Sequence, residues 1–514
     1  MNEWIRTGRR MHGTGTQAPR QGQEVAAMAT RTASKGTGVR NKGSREAKAD
    51  EVVAPAVVEA PTDAPPGRTD PELLIRASVL LADAALAAKQ AGAEMTAATF
   101  SWRVGLNALK RPLWAFGALA STARALTNPG GLGFTANGGV LGETTRSAAA
   151  LARLRSTPVS MAVDAFAMRI EAAAIEHPNL AAPLAKDLTD ALVAGKRLDA
   201  LRAARRLVDL MGVTRTLTTV SPVLMELFAL IALLDENPAN DDFAWVTLAG
   251  GVPTTDPFLG LPAGLVRQLN PGPGRAERAD PDAILERCLA RSSNEIVSYI
   301  DDIAALGNHG LALLRRIRCT DGSERHVLLL PGTSFGLLRN STTQDLVGAF
   351  DGALRTDTTY TRAVKQLLVR SGVPVGSDLM IVGHSLGGIT AMNLATDLDL
   401  VSTYRLTHIV TVGSPIDNKR PADPDTQVIS LVNKYDVIPN LDGRGPSSPN
   451  DIPEHWVELA WLDDTYDYPL SHAPQSYSGT LRNAMPQHRE HVNALITAYD
   501  GEIVGNQPYL LLDK

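Results

Sequence analysis

The spacing of hydrophobic residues changes once along the chain, near position 311. Between Asp70 and that position, apolar residues recur three or four places apart, which is typical of helices buried on one face. Beyond it, short apolar runs alternate with helical segments, and we predict strands at 313–319, 325–330, 379–382, 406–412 and 427–432. Strands that alternate with helices indicate a mainly parallel sheet covered by helices on both faces. The sequence therefore predicts an α/β domain over 311–514.

The first 67 residues show no hydrophobic period. They are rich in Gly, Thr, Ser and basic residues up to Lys48, and they are acidic and rich in Pro, Ala and Val from Asp50 to Pro66. A segment of this composition buries too little apolar surface to offset the entropy of ordering, so we predict a disordered tail over 1–67. The tail also lacks the apolar core that a secretory signal needs.

An all-α helical region is predicted over 68–310. Asp70 is a good N-cap and Pro71 suits the first helical position, so the first helix should begin there. Further helices are predicted at 158–176, 180–194 and 198–211, and the last two should end at Gly195 and Gly212.

Two segments of this region raise the question of membrane contact. Residues 223–234 form the most apolar run of the chain, but it is shorter than the roughly 20 residues that cross a bilayer and contains Glu226. We therefore predict a buried core helix there. The segment 102–126 carries Trp102 and Trp114 beside basic residues, which would suit an amphipathic helix on a membrane surface. Packing within the protein is our preferred interpretation of that segment.

One motif carries a chemical signal. The stretch from Gly383 to Gly387 reads G-x-S-x-G, follows directly on the predicted strand 379–382 and precedes a helix-capable run. In such a nucleophile elbow, the serine lies on a sharp turn between strand and helix, and the two glycines leave room where strand and helix pass close together. The motif predicts that Ser385 is a nucleophile at the edge of the sheet.

Further short motifs before and after this one resemble those of a known family. Residues 383–388 read GHSLGG, residues 330–334 read LPGTS at the end of an earlier strand, and residues 413–415 read GSP after a later one. With these motifs, about the last 200 residues resemble the lipase (class 3) group of α/β-hydrolases. The resemblance implies the α/β-hydrolase fold and an oxyanion turn at Thr333. Pro331 stands where that family usually has arginine.

A serine hydroxyl is a weak nucleophile, so it needs an imidazole base and a carboxylate that fixes the imidazole tautomer. In α/β-hydrolases these follow in the order serine, acid, histidine. Asp436 comes just after a predicted strand and resembles the Asp-x-x-Pro acid loop of the lipase group. Our preferred base is His472, because a tyrosine follows it within a few residues, as in the histidine loops of related hydrolases. His455, His488 and His491 are the alternatives.

Acyl transfer also needs hydrogen-bond donors for the oxyanion. We expect the backbone N–H of Leu386, directly after Ser385, and a second donor in the turn at Thr333. The resemblance implies that His384 points away from the serine hydroxyl and serves in packing. The late histidines lack metal-ligand spacing, and this mechanism needs neither a metal nor a cofactor.

The composition indicates which binding partners and which cellular compartment to expect. The net charge of −5 gives no overall attraction to nucleic acid, and an aromatic content of 5% argues against stacking platforms for bases. The only two cysteines, Cys288 and Cys319, fit neither zinc spacing nor a disulfide framework. We therefore expect a cytoplasmic protein without nucleic-acid partners, and peripheral contact with a membrane stays open.

These observations predict a serine hydrolase that cleaves a small-molecule lipid or ester through an acyl-enzyme on Ser385. The apolar acyl chain of that substrate is implied by the resemblance. A thioesterase or an acyltransferase with the same three residues is the alternative among enzymes. A scaffold or membrane-interaction protein with a vestigial hydrolase domain is the alternative from another class. The helical region would cover or extend the catalytic domain.

Overall fold

The structure, a computed structural model, describes the chain from residue 70 onwards in several stretches. They are 70–99, 157–334, 341–441 and 455–514, apart from 178, 181–182, 195, 236, 238, 252, 259, 261 and 263–271. The predicted disordered tail over 1–67 and the segment 102–126 therefore lie outside the described residues.

Six helices are described between residues 71 and 248. They are α1 Pro71–Thr99, α2 Thr157–Glu176, α3 Pro183–Val193, α4 Arg197–Val220, α5 Leu224–Leu234 and α6 Asp241–Leu248. Their apolar faces meet in one hydrophobic core, in which Phe166, Leu207 and Leu230 are fully buried. The described residues between 71 and 248 are therefore largely helical.

Helix α4 differs from its prediction. Gly212 was expected to end the helix, and with φ of +79° it does kink the chain there. Helical backbone nevertheless resumes and continues to Val220. The second half holds because Thr216, Thr218 and Thr219 are buried, and tertiary packing outweighs the helix-breaking tendency of one glycine.

The apolar run at 223–234 forms α5, a core helix as predicted. Most of its residues are buried, including Glu226 at 1% exposure. Among the described residues, Arg202–Leu234 is the one stretch that is long and apolar enough to cross a membrane by length and composition. Of its most apolar window, 78% is buried inside the protein, as expected of a core helix.

An eight-stranded sheet organises the rest of the described chain. Its strands are β1 Arg275–Arg278, β2 Leu311–Cys319, β3 Glu324–Leu330, β4 Asp378–His384, β5 Arg405–Val412, β6 Gln427–Asn433, β7 Trp456–Trp461 and β8 Gly501–Leu512. Their order across the sheet is β1-β8-β2-β3-β4-β5-β6-β7. Strands β3 to β7 run parallel, and β1, β8 and β2 pair antiparallel with their neighbours. The fold is therefore mixed α/β with a mostly parallel sheet, and all five predicted strands are present.

Helices pack on both faces of this sheet. They are α7 Ala283–Leu289, α8 Ile296–Leu306, α9 Leu346–Leu354, α10 Thr359–Ser371, α11 Leu386–Ala395, α12 Leu398–Thr403, α13 Pro474–Asn483 and α14 Pro486–Leu495. The side chains of β4 alternate between two cores. Leu379 and Ile381 join the core formed with α10 and α11. Met380 and Val382 join the core formed with α8 and α13. Burial on both faces explains why β4 reads as an unbroken apolar run.

The sheet begins before the boundary that the sequence suggested at residue 311. Strand β1 forms one edge, where Arg275 lies opposite Leu512 and Arg278 opposite Tyr509. Helix α8 also packs against the sheet. A strand of four residues carries too little periodic signal to be recognised in the sequence. The helical and α/β parts belong to one compact unit.

Candidate active site

Ser385 occupies the turn between β4 and α11. Its φ of +54° and ψ of −122° make it the one non-glycine residue with positive φ among the described residues. Such a backbone persists only when its surroundings hold it, and it is often found at functional sites. Here the Ser385 N–H donates to the Val412 carbonyl at 3.0 Å, and the Ser385 carbonyl accepts from the N–H groups of Gly388 and Ile389 at 3.0 and 3.2 Å.

Two glycines allow this turn to form. A Cβ atom on Gly383 would lie 2.4 Å from the backbone of Gly387. A Cβ atom on Gly387 would lie 2.0 Å from the carbonyl oxygen of Leu330 at the end of β3. Both distances are far inside van der Waals contact with backbone atoms that have no room to move. The close packing of β3, β4 and α11 around Ser385 therefore requires glycine at both positions.

Asp436 and His472 form a buried hydrogen-bonded pair. Asp436 lies in the loop after β6, and His472 ends a short 3-10 turn after β7. His472 Nδ1 donates to Asp436 Oδ2 at 2.7 Å, and the two residues are 2% and 0% exposed. Asp436 Oδ1 accepts from the Ile438 N–H at 3.0 Å, and Oδ2 accepts from the Tyr477 hydroxyl at 2.7 Å. With the proton on Nδ1, the neutral imidazole carries its lone pair on Nε2.

His384 links the elbow to the candidate base through a hydrogen bond, in addition to the packing role expected for it. Its Nε2 lies 2.8 Å from the backbone carbonyl of His472, and a carbonyl can only accept, so His384 carries its proton on Nε2. The two rings lie 4.7 Å apart between centroids. Burial, with a smaller effect of the nearby His472, lowers the pKa of His384 to about 3, so the ring is neutral.

The other three late histidines lie elsewhere. His455 is exposed just before β7. His488 contacts the Trp461 ring edge-on at 6.3 Å between centroids, and His491 is exposed. Both belong to α14, whose rigid axis keeps them on its own surface. Of the four candidates, the structure pairs His472 with the carboxylate.

The turn after β3 lies against the elbow. A Cβ atom on Gly332 would come 2.8 Å from the Cβ of Ser385. Thr333 follows and is 4% exposed. On the other side, the N–H of Leu386 belongs to the first turn of α11, and first-turn N–H groups have no acceptor within their own helix. The turn that contains Thr333 and the start of α11 at Leu386, where the oxyanion donors are expected, therefore both adjoin Ser385.

Three side chains that sequence reasoning missed hold this turn in place. The Tyr360 hydroxyl donates to the Pro331 carbonyl at 3.1 Å and accepts from Gln344 Nε2 at 3.1 Å. Asn308 Nδ2 donates to the Thr333 carbonyl at 2.9 Å. These residues come from three separate loops and helices, so no local motif marks them. They anchor the backbone from which the second oxyanion donor is expected.

The helical part contacts the loop that carries Asp436. The Ser221 hydroxyl, at the start of the short 3-10 turn before α5, donates to the Asp436 carbonyl at 2.9 Å. It also accepts from Asn440 Nδ2 at 2.8 Å. Val437 is buried in the hydrophobic core of the helical part. The backbone around the candidate acid is therefore held from both parts of the molecule.

The helical part also contacts the segment that leads to His472. Arg215 forms an ion pair with Asp467 at 3.1 Å. The Tyr468 N–H donates to Thr218 Oγ1 at 2.9 Å, and the Tyr468 side chain packs against the helical core. The second half of α4, beyond the kink at Gly212, supplies these contacts.

Among the described residues, no group of three or more His, Cys, Asp or Glu side chains is arranged to hold a metal ion. Comparisons with family models, curated proteins and solved structures found no match for this chain. The geometry of the site is therefore the basis on which a function can be proposed.

Proposed function

We propose that the protein is a serine hydrolase with the α/β-hydrolase fold. One observation carries the proposal: Ser385 in its strained turn and the buried His472–Asp436 pair emerge at the same edge of the parallel sheet and are joined through His384. Carboxyl ends of neighbouring parallel strands meet at one edge, so residues that follow β4 and β6 come together there. A strained serine at the same sheet edge as a histidine oriented by a carboxylate provides the groups that nucleophilic catalysis requires.

The reaction follows from the proton positions. Because His472 donates its Nδ1 proton to Asp436, Nε2 is the atom that takes the hydroxyl proton as Ser385 Oγ attacks the substrate carbonyl. Backbone donors at Leu386 and Thr333 would stabilise the oxyanion. His472 then passes the proton to the leaving alcohol, and an acyl-enzyme remains on Ser385. A water activated by the same imidazole hydrolyses it.

The proposed substrate is a carboxylic ester with an apolar acyl chain. Ser385 and His472 are 3% and 2% exposed, so the reacting groups are shielded from water. Apolar side chains of the helical part meet Val437 and Tyr468 from the two loops beside the site. This surrounding suits an apolar chain better than a charged one. Both cysteines are free thiols, which supports the proposed cytoplasmic location.

The proposal is tested with a fluorophosphonate probe, which labels activated serines. The wild-type protein should be labelled and should hydrolyse activated esters, and Ser385→Ala should lose both properties while staying folded. The matched control is Ser430→Ala, which removes another buried hydroxyl from the sheet and should keep labelling. A folded wild-type protein that takes up no label would refute the hydrolase proposal.

A further inference from the structure

Tyr477, in the first turn of α13, lies directly against the candidate acid. Its hydroxyl is 2.7 Å from Asp436 Oδ2, the same oxygen that accepts from His472 Nδ1. The backbone N–H of Asn433 approaches the tyrosine hydroxyl at 3.3 Å and donates to it. Because that donor meets a lone pair of the hydroxyl oxygen, the phenolic proton is directed to the carboxylate.

The residues packed around Tyr477 hold its hydroxyl against Asp436. Gly413 has φ of +59°, and a Cβ atom there would lie 2.9 Å from the Tyr477 oxygen and 3.0 Å from Asp436 Oδ2. Trp461 packs edge-on against the tyrosine ring at 5.5 Å between centroids, and His384 does so at 6.5 Å. The ring is 1% exposed. The position of its hydroxyl is therefore fixed by packing, independently of the hydrogen bond.

The chemical role of this hydroxyl follows from its proton. Burial, and next the nearby Asp436, raises the pKa of Tyr477 well above 10, so the group stays a donor. Asp436 Oδ2 thus accepts two hydrogen bonds. A second donor withdraws negative charge from the oxygen that faces His472, and a less negative oxygen stabilises a charged imidazolium less.

We propose that Tyr477 is a positioning residue that fixes Asp436 toward His472 and moderates the basicity of the His472 imidazole. This inference rests on the proposed function. A general base works best when it is neutral at the working pH and still accepts a proton readily. Without the tyrosine hydroxyl, His472 would bind a proton more tightly and would be less often in its reactive neutral form.

Two other titratable groups face the pair among the described residues. His384 comes from β4, and its pKa is lowered to about 3 by burial. Tyr468 comes from the segment before His472, and its pKa is raised by burial and by Asp436. Both stay neutral between about pH 5 and 9. A change in the activity profile within that window therefore reports on the Asp436–His472 pair.

The test compares full-length wild type with Tyr477→Phe, using the pH dependence of kcat/KM for a soluble activated ester. We expect the plateau to fall about tenfold with little change in KM, and the acidic limb to move up by roughly half to one pH unit. The matched control is Tyr499→Phe, which also removes a buried hydroxyl, bonded at 2.6 Å to Thr407 Oγ1 and apart from the site. Its profile should match wild type.

A second variant keeps the test decisive if the Phe variant folds poorly. Fluorotyrosine at position 477 is a more acidic phenol and a stronger donor of nearly the same shape, so the acidic limb should move down instead. If the wild type is active and the acidic limb stays at the wild-type pH in both variants, the inferred role of Tyr477 is wrong and the proposed function still stands. A wild type that neither binds the fluorophosphonate probe nor hydrolyses esters overturns the proposed function, and this inference with it.

Discussion

The geometry around Ser385 depends on the serine itself and on neighbouring glycines that lack a Cβ atom. The serine holds a backbone conformation that residues with a Cβ atom rarely adopt, and three backbone hydrogen bonds keep it there. The neighbouring glycines allow close packing because they lack a side chain. An added Cβ at Gly387 would lie 2.0 Å from a backbone oxygen of β3. The reactive turn is therefore built by packing that leaves no space for alternatives.

Gly387→Ala should abolish fluorophosphonate labelling and sharply lower the yield of folded protein, because the new methyl group meets backbone atoms of Leu330 at 2.0 and 2.6 Å. The control is Gly479→Ala in α13, where nothing lies within 4 Å of an added Cβ. That change should raise the free energy of unfolding by about 0.5–1 kcal/mol, since alanine favours a helix over glycine. Thermal unfolding and probe labelling measure both. A stable, labelled Gly387→Ala protein would contradict the close packing of β3 against the elbow.

His177 makes stability depend on pH. It is fully buried at the end of α2 against Tyr435, and burial, with Lys434 as the smaller cause, lowers its pKa from 6.5 to about 4. Between these values the unfolded chain binds more protons than the folded one, so stability falls as the pH drops below 6.5. From pH 7 to pH 5 the loss from this residue should be about 2 kcal/mol.

Urea unfolding at the two pH values checks this prediction. His177→Gln should show a smaller loss than wild type, because glutamine does not titrate. The control His309→Gln replaces an exposed histidine and should keep the wild-type loss. Equal losses in all three proteins would show that His177 titrates alike in the folded and unfolded chain.

At the scale of elements, short local signals set where helices begin and end. Helix α10 begins after Thr358, whose hydroxyl accepts from the Thr361 N–H at 3.1 Å, and it ends at Gly372 with φ of +73°. Such caps act within one turn of the helix. Helix α4 is an exception, because the local signal at Gly212 predicts an end to the helix and packing beyond Gly212 restores it. The restored half then carries Arg215 and Thr218, which hold the segment before His472.

Ser221→Ala tests the contact between helical part and acid loop. The change removes one of the two donors to the Asp436 carbonyl, which keeps its hydrogen bond from the Asn440 amide at 3.1 Å, so it should cost about 0.5–1.5 kcal/mol of unfolding free energy and lower kcat severalfold. Ser78→Ala is the matched control, since that buried hydroxyl bonds within α1, to the Ile75 carbonyl at 2.7 Å. Chemical denaturation and ester turnover are measured for both variants. Unchanged kcat in a destabilised Ser221→Ala protein would limit the contact to a structural role.

At the scale of the whole molecule, the helical and α/β parts depend on each other. Val437 and Tyr468 belong in sequence to the loops of the α/β part, yet they pack in the core of the helical part. Removing the helices would expose these side chains and release both loops of the candidate site. We therefore interpret the helical part as a cover that also completes the site.

A fragment comprising residues 272–514 should be poorly soluble and should neither bind the fluorophosphonate probe nor hydrolyse esters. The control is the chain without residues 1–66, a segment whose composition predicts no contribution to a core, and it should match the full chain in melting temperature and turnover. A soluble fragment with full activity would show that the α/β part is independent of the helices.

Much of the framework was predictable because it depends on near neighbours in the chain. The alternation of apolar runs and helices predicted the mostly parallel sheet, and the glycines around Ser385 predicted the sharp turn after β4. The position of Asp436 after a strand was visible for the same reason. Periodicity, turn chemistry and capping act over a few residues, so one sequence can carry them.

Only the tertiary structure decided which groups meet. His472 was one of four candidates, and its contact with Asp436 spans 36 residues of chain. The contact of Ser221 with the Asp436 carbonyl spans 215 residues, and no motif marks it. The hydrogen bond of His384 to the His472 carbonyl joins residues 88 positions apart and was not predicted. Such contacts depend on how distant loops pack on the sheet edge, and no local pattern along the chain encodes that packing.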